Sequence, residues 1–345
     1  MPSAKNKDLA LQKYERTIKN LKVISTAALI LGIIAILTSF AILILALPQI
    51  YNSTQPQTTT AQSGPGSTLA GIDQPLNATQ LAVINNAPNA YFQRAGTMYL
   101  NGSIPNTVAI PTNKIQRLVS GNKTAVVYYG SITCIFCGEN RWAMALALSR
   151  FGNFTQLYQG YSAIHDGDVP TLYWTQLNYN KSGDAIGDWY SSRYVSFLAI
   201  EDINPITGGF TLNPAAKVQA NINSQGNQTY ISTLSYLFNL FTSNATSFKG
   251  TPYTVWGDYQ WSGADAVDFG NSTQNSTTAS GTPVLSYMTH AQVIKQIANP
   301  SDGFGWTEYA AADMYTAALC KTLNNTAPVC SLSAIQQIEL QLNKT

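Results

Sequence analysis

The sequence predicts an α/β domain with helical insertions, preceded by a single N-terminal transmembrane helix. Three observations predict it. Residues 23–47 are an uncharged run rich in Ile, Leu and Ala, with Lys and Arg clustered just upstream. A short β-forming run at 124–130 leads into Cys134-Ile135-Phe136-Cys137 and then into helical spacing. A Pro-led stretch from Pro252 to Tyr259 reads as a strand with a turn behind it, which starts a hairpin.

The N-terminal segment, 1–22, carries Lys5, Lys7, Lys13, Arg16, Lys19 and Lys22 against Asp8 and Glu15, a balance of +4. The 25 uncharged residues that follow suffice for a helical span, which takes about 20 apolar residues. Pro48 ends the run, and the next Lys or Arg is Arg94. The positive-inside bias therefore predicts a cytoplasmic N-terminus, an anchor at 23–47 and the bulk of the chain outside, single-pass in the cell membrane. A cleaved signal peptide is the competing reading, but its apolar core is shorter and Leu45-Ala46-Leu47-Pro48 is a poor cleavage site. Residues 48–76, rich in Thr, Gln, Ser and Pro, read as a linker that cannot bury a core. The extracellular domain is then 77–345.

Composition removes other classes. Of 345 residues only 36 are charged, too few for the cation clusters a nucleic-acid binder needs. With 45% apolar and 11% aromatic residues the chain is not a disordered tail. Glycosylation sequons begin at Asn52, Asn77, Asn101, Asn122, Asn153, Asn180, Asn227, Asn244, Asn271, Asn275, Asn324 and Asn343. None lies in the segment expected inside, which agrees with a glycosylated exterior. Few charges among many uncharged polar groups also suit an acidic exterior, where folds built on ion pairs lose stability.

Within the domain, 124–130 reads as a buried strand and 138–151 as a helix, with Gly152 as its stop. Residues 171–179 and 193–200 read as further strands, and 229–241 as an apolar helix ahead of Pro252. Residues 271–280 read as a low-complexity surface loop. Residues 289–298, 307–319 and 332–342 read as closing helices.

The four cysteines fall into two pairs. An even count outside a membrane reads as disulfides, and the local pairing is the simplest. Cys320 and Cys330 then close a short loop between two helices. A four-Cys zinc site would need a second close pair, which the nine residues between Cys320 and Cys330 do not supply, so neither metal nor cofactor is expected. Cys134 and Cys137 follow a strand and open a helix, the thioredoxin arrangement. There the unpaired N–H groups and the positive end of the dipole favour an anion on Cys134. Cys134 would attack a substrate disulfide and Cys137 would resolve the mixed disulfide. A tight structural Cys134–Cys137 disulfide is the alternative. A thioredoxin-like fold also needs a proline facing the dithiol; Pro252 fits this role better than Pro283, because strand, turn and second strand follow it.

His165, near Asp166 and Asp168, is read as part of a solvated loop rather than a metal site. Asp265 and Asp268 are read as a surface turn rather than glycosidase carboxylates. Trp256, Tyr259 and Trp261 could stack on sugars, with core packing as the plainer reading. His290 joins no recognisable nucleophile–base motif.

Residues 126–202 also resemble the domain-of-unknown-function family numbered nine-two-nine, found in thermoacidophilic archaea and some actinobacteria. The matching text is Val126-Val-Tyr-Tyr-Gly130, Cys134-x-x-Cys-x-Glu-x-Arg-Trp142, Ala147-Leu-x-Arg-Phe-Gly152 and 192–201. The resemblance resumes at 251–263, at 292–300 and at the Cys320 and Cys330 pair. It implies a thioredoxin-like fold. Where the family often carries Pro after the first Cys, this chain has Ile135, and that dipeptide tunes the reactivity of the pair. Together these readings predict a membrane-anchored extracellular thiol–disulfide oxidoreductase with Cys134, Cys137 and Pro252 at its site. Its partners would be exported proteins with disulfides. The alternative is a non-catalytic, glycosylated surface module braced by two disulfides.

Overall fold

In a computed structural model the protein is described over residues 72–104, 115–132, 134–162, 169–176, 185–186, 189–201, 218–219, 222, 230–243, 252–262, 285, 288–301 and 303–342. The expected anchor at 23–47 lies outside these residues, as do residues 1–22 and nearly all of the expected linker. No helix among the described residues is long and apolar enough to cross a membrane.

The described fold is mixed α/β, with seven α-helices, a central sheet and two small antiparallel pairs. In chain order the elements begin with α1 (Ala78–Asn85) and α2 (Asn89–Leu100). Then come β1 (Val119–Ser120), β2 (Lys123–Gly130) and α3 (Ile135–Leu148). Five short strands follow: β3 (Gly152–Phe154), β4 (Tyr158–Ser162), β5 (Val169–Tyr173), β6 (Ala185–Ile186) and β7 (Tyr190–Ser192). The chain continues through β8 (Val195–Glu201), α4 (Ile231–Ser243), β9 (Tyr253–Trp256) and β10 (Tyr259–Ser262). It closes with α5 (His290–Ala298), α6 (Gly303–Thr322), a 3-10 turn (Pro328–Ser331) and α7 (Ser333–Leu342).

The central sheet runs β10-β9-β2-β8-β6, with β1 paired to β2 as well. β2 and β8 are parallel, from Thr124 beside Val195 to Gly130 beside Glu201. β9 is antiparallel to β2, with Tyr253 beside Tyr129, and β10 folds back on β9. β3 pairs with β7, and β4 with β5. A strand buried on both faces reads as a continuous apolar run, and β2 is such a strand. Its Val126 and Tyr128 join the large core with Phe197, Ala199 and Trp256. Its Ala125, Val127 and Tyr129 join a second core with Leu198, Ile200, Val255 and Leu234 and Leu237 of α4. Helices therefore cover both faces, with α4 on one and α3 and α6 on the other.

α6 is buried almost all round, because α2, α3 and α7 pack against it. At its end Asn324 and Asn325 take positive φ, and the Cys320–Cys330 disulfide ties it to the 3-10 turn before α7. An 11-residue loop closed this way contributes about 3 kcal/mol in the chain-entropy model. The β9–β10 hairpin turns at Gly257, whose φ of +67° suits glycine; a side chain there would overlap Thr322 of α6.

Several expected elements shift. The helix expected at 138–151 starts at Ile135, because Cys134 takes the N-cap position ahead of it. Gly152 does not stop that helix; Ser149 is the C-cap, and Gly152 lets β3 approach the Ser191 backbone of β7. The strand expected at 171–179 runs from 169 and ends at 173. The helix at 307–319 extends to 303–322. Trp256, Tyr259 and Trp261 are core residues, not a sugar platform: Trp256 stacks on Tyr315 at 4.5 Å, and Trp261 meets the same ring edge-on at 5.1 Å.

Candidate functional site

The site forms at the carboxyl ends of the parallel strands β2 and β8, where α/β sheets commonly hold their chemistry. β2 ends at Gly130, and four residues later Cys134 caps α3 with extended backbone, φ −82° and ψ 122°. Its sulfur accepts the Cys137 N–H at 3.4 Å, and its own N–H donates to the Ser131 carbonyl at 3.2 Å. One of the first-turn N–H groups that lack a helical partner, that of Cys137, thus points at the Cys134 sulfur. Neither of these cysteines is in a disulfide; Cys134 is half-buried and Cys137 is fully buried.

Cys137 is the third residue of α3, with its sulfur accepting the Ser131 N–H at 3.4 Å. Burial pushes its thiol well above the ordinary value, and the adjacent Cys134 pushes it further, while Arg141 and the Ser131 N–H pull it down. The pair is therefore asymmetric: Cys134 is partly exposed and Cys137 is not.

One helical turn on, Arg141 is fully buried and grips Glu201 at the end of β8. Its Nε donates to Oε1 at 3.1 Å and its Nη2 to Oε2 at 3.0 Å, while Nη2 also reaches the Ser131 carbonyl at 3.0 Å. The β2–β8 register, which sets Gly130 beside Glu201, brings the carboxylate here.

The β4–β5 hairpin braces the other side of the α3 entry. Thr171 donates to the Gly138 carbonyl at 2.6 Å, and Trp142 of α3 donates to the Pro170 carbonyl at 3.0 Å. Gly138 is needed because a Cβ there would overlap Ser162. His290 of α5 pins the hairpin from behind, its Nε2 2.6 Å from the Gly160 carbonyl and 3.0 Å from that of Thr171. Burial lowers the imidazole below its ordinary value, as fits a neutral structural histidine.

Pro252 is buried and directly precedes β9. Since Tyr253 pairs with Tyr129, the register carries Pro252 opposite Gly130, at the edge of the Cys134 turn. The three expected site residues thus converge on one end of the sheet. Pro283, His165, Asp166, Asp168, Asp265 and Asp268 lie outside the described residues. Among those described, no cluster of His, Cys, Asp and Glu could hold a metal. The sequons at Asn77, Asn101, Asn122, Asn153 and Asn324 are all solvent-exposed; the other seven lie outside the described residues. A polar pocket of about 270 Å³, lined by Lys123, Tyr190 and Tyr230 among others, opens at the far end of the sheet.

Arg141, Glu201, Ser131 and Tyr128 carry no site motif in the sequence. The signal for Arg141 is its spacing, four residues after Cys137 and so on the same helix face. Glu201 is 60 residues further along and is brought in only by strand pairing.

Residues 112–255 match a family described as Domain of unknown function (DUF929). The matched stretch is under half of the chain, yet it holds Cys134, Cys137, Arg141, Glu201 and Pro252. It does not reach 292–300 or Cys320 and Cys330. No curated protein and no solved structure matches the chain.

Proposed function

We propose that this chain is a thioredoxin-like thiol–disulfide oxidoreductase, anchored in the cell membrane by residues 23–47 and acting outside on exported proteins with disulfides. The observation that carries the reading is the asymmetric dithiol, with a half-exposed Cys134 capping a helix and a buried Cys137 one turn inside it. The strand order β10-β9-β2-β8, the parallel β2–β8 pair and Pro252 at the head of β9 support the thioredoxin-like assignment.

The exchange runs in two balanced steps. The Cys134 thiolate attacks one sulfur of a substrate disulfide; the Cys134–substrate bond forms, the substrate S–S bond breaks, and the first substrate thiolate leaves and takes a proton. Cys137 then loses its proton and attacks the Cys134 sulfur. The Cys134–Cys137 disulfide forms, the second substrate thiolate leaves, and the proton from Cys137 ends on it. The substrate gains two electrons and the protein dithiol gives up two; the reverse sequence inserts a disulfide. The helix N-terminus favours the negative charge on Cys134.

Redox titration of the full chain in detergent tests this. Glutathione and dithiothreitol buffers set the potential, and alkylation mass shifts report each Cys pair separately. Cys134 and Cys137 should titrate together between about −120 and −270 mV, while Cys320–Cys330 stays oxidised. If both pairs resist reduction below about −300 mV, they are braces and the surface-module reading takes over. The orientation is tested on intact cells. External protease should digest the chain beyond the anchor and spare an N-terminal epitope; the opposite pattern overturns the exterior placement.

A further inference from the structure

In the second step of this exchange, negative charge develops on a sulfur that the fold has withdrawn from water. Burial alone opposes that charge. The surroundings of Cys137 contain what would offset it, and they are organised around one backbone unit. Ser131 donates its N–H to the Cys137 sulfur at 3.4 Å. Its carbonyl accepts both the Cys134 N–H at 3.2 Å and Arg141 Nη2 at 3.0 Å. Arg141 is in turn fixed by two hydrogen bonds to Glu201. The ion pair thus holds the Ser131 carbonyl, and with it the residue whose N–H touches Cys137.

Two buried donors here have no hydrogen-bond partner among the described residues: Arg141 Nη1 and the Tyr128 hydroxyl. A buried donor left over costs roughly 1–3 kcal/mol and calls for an explanation. Both sit next to the dithiol. The Arg141 guanidinium lies 5.5 Å from the centre of the Tyr128 ring. The Tyr128 side chain turns along β2 toward Gly130, where only the missing side chain leaves room for its hydroxyl. The charged and titratable groups that share this space are Tyr128 on β2, Glu201 on β8, Tyr173 on β5 and Cys134 at the helix cap. Burial holds Tyr128 well above the ordinary phenol value, so it remains a donor. A pair built only to brace β8 against α3 would not need a spare guanidinium N–H beside a spare phenol.

We propose that Arg141, clamped by Glu201, is the positioning residue of the resolving step. It holds Ser131 so that its N–H meets the Cys137 sulfur, and it keeps a cation beside the charge that forms there, with Tyr128 as a second standing donor. Donors fixed in advance where charge will appear cost no reorganisation at the moment of reaction. The inference rests on the oxidoreductase reading and assigns it a device that the two cysteines alone do not supply.

The sign of the effect separates this role from a structural one. Reaction of the reduced full chain with dithiobis(nitrobenzoate) releases one thionitrobenzoate when Cys134 attacks and a second when Cys137 closes the disulfide. The first phase reports Cys134 and the second reports Cys137. Arg141→Met should leave the first phase within about twofold, slow the second about tenfold or more and move its pH midpoint upward, since one pH unit is a tenfold change in thiolate. Arg141→Lys should recover part of the loss. Glu201→Gln, which leaves the cation uncompensated, should move the midpoint downward. Tyr128→Phe should slow the second phase and move it upward. Far-UV circular dichroism checks each fold; should Arg141→Met fail to fold, the opposite shifts of Glu201→Gln and Tyr128→Phe carry the test. Two normal phases with unmoved midpoints, or shifts of the same sign in Arg141→Met and Glu201→Gln, overturn the proposal alone. Absence of the first phase in the wild-type protein overturns the oxidoreductase reading and this proposal with it.

Discussion

Cys134→Ser brings disulfide exchange down to the uncatalysed rate, whereas Cys137→Ser leaves the first step running and stalls the second. This contrast is expected from burial. Cys137 is closed off from solvent, so a protein disulfide cannot reach it directly. It attacks only the sulfur of Cys134, the half-buried cap of α3, once that sulfur is joined to substrate. Serine at 134 keeps the cap, because a hydroxyl accepts the same N–H groups, but it lacks the nucleophile. The fold should therefore survive while activity is lost. Serine at 137 removes the resolving thiol, so the substrate remains attached through Cys134 as a stable mixed disulfide. Intact-mass spectrometry under non-reducing conditions reads the adduct directly, and Cys320–Cys330 should be unchanged in both variants. Wild-type exchange in Cys134→Ser would remove the dithiol from the mechanism altogether.

The parts of this site that sequence reveals are those set by neighbours along the chain. The run of β-formers in β2, the C-x-x-C and the Ala- and Leu-rich turns of α3 are contiguous, so local preference shows them. The Pro252 hairpin is legible for the same reason, since proline starts the strand and Gly257 makes the turn. α3 starts three residues ahead of the expected Gly138, because Ile135 and Phe136 do not look like a first turn when Cys134 is the cap. α1 is less legible although its start is encoded locally: Asn77 and Gln80 exchange hydrogen bonds as a capping box, at 2.9 and 3.0 Å, but Asn77 also heads a sequon, which masks the cap signal. The β3–β7 and β4–β5 pairs join segments whose partners lie a variable distance away, and short strands carry little periodicity. Arg141 and Glu201 belong to this second group. Their contact depends on which residue of β8 lies beside Gly130, and a register is a tertiary fact.

The fold should be more stable near pH 4 than near pH 7.5, and Glu308→Gln should shrink that difference. Glu308 and Asp313 of α6 are fully buried. Burial holds both carboxyls well above their ordinary values of 4.5 and 3.8; Glu139 of α3 raises Glu308 further, while the Ala143 backbone eases it. Asp313 lies against the Gly96 backbone of α2 and feels Arg150, whose own guanidinium is pushed down to about 10 by burial. A carboxyl raised in the folded state holds its proton where the unfolded chain has already released it. Its contribution to stability is complete below about pH 4 and is lost as pH rises through the folded value. His290 works in the opposite sense. It is lowered from 6.5, so its contribution is complete above that value and is lost as pH falls through the folded one. Burial raises Glu339 of α7 as well, so one imidazole opposes three carboxyls, and the buried phenols, raised above 10, only steepen the alkaline loss. The balance favours acid, in keeping with a chain that has few surface charges. Denaturant midpoints at pH 4 and pH 7.5 measure it. Glu308→Gln keeps the shape and removes the proton, so it should stabilise the protein on the order of 2 kcal/mol at pH 7.5, the scale of an uncompensated buried polar group, and change little at pH 4. A wild-type midpoint that falls steadily from pH 7.5 to pH 4, with Glu308→Gln equally destabilised at both, would mean that ion pairs rather than protonated carboxyls hold α6 against α3.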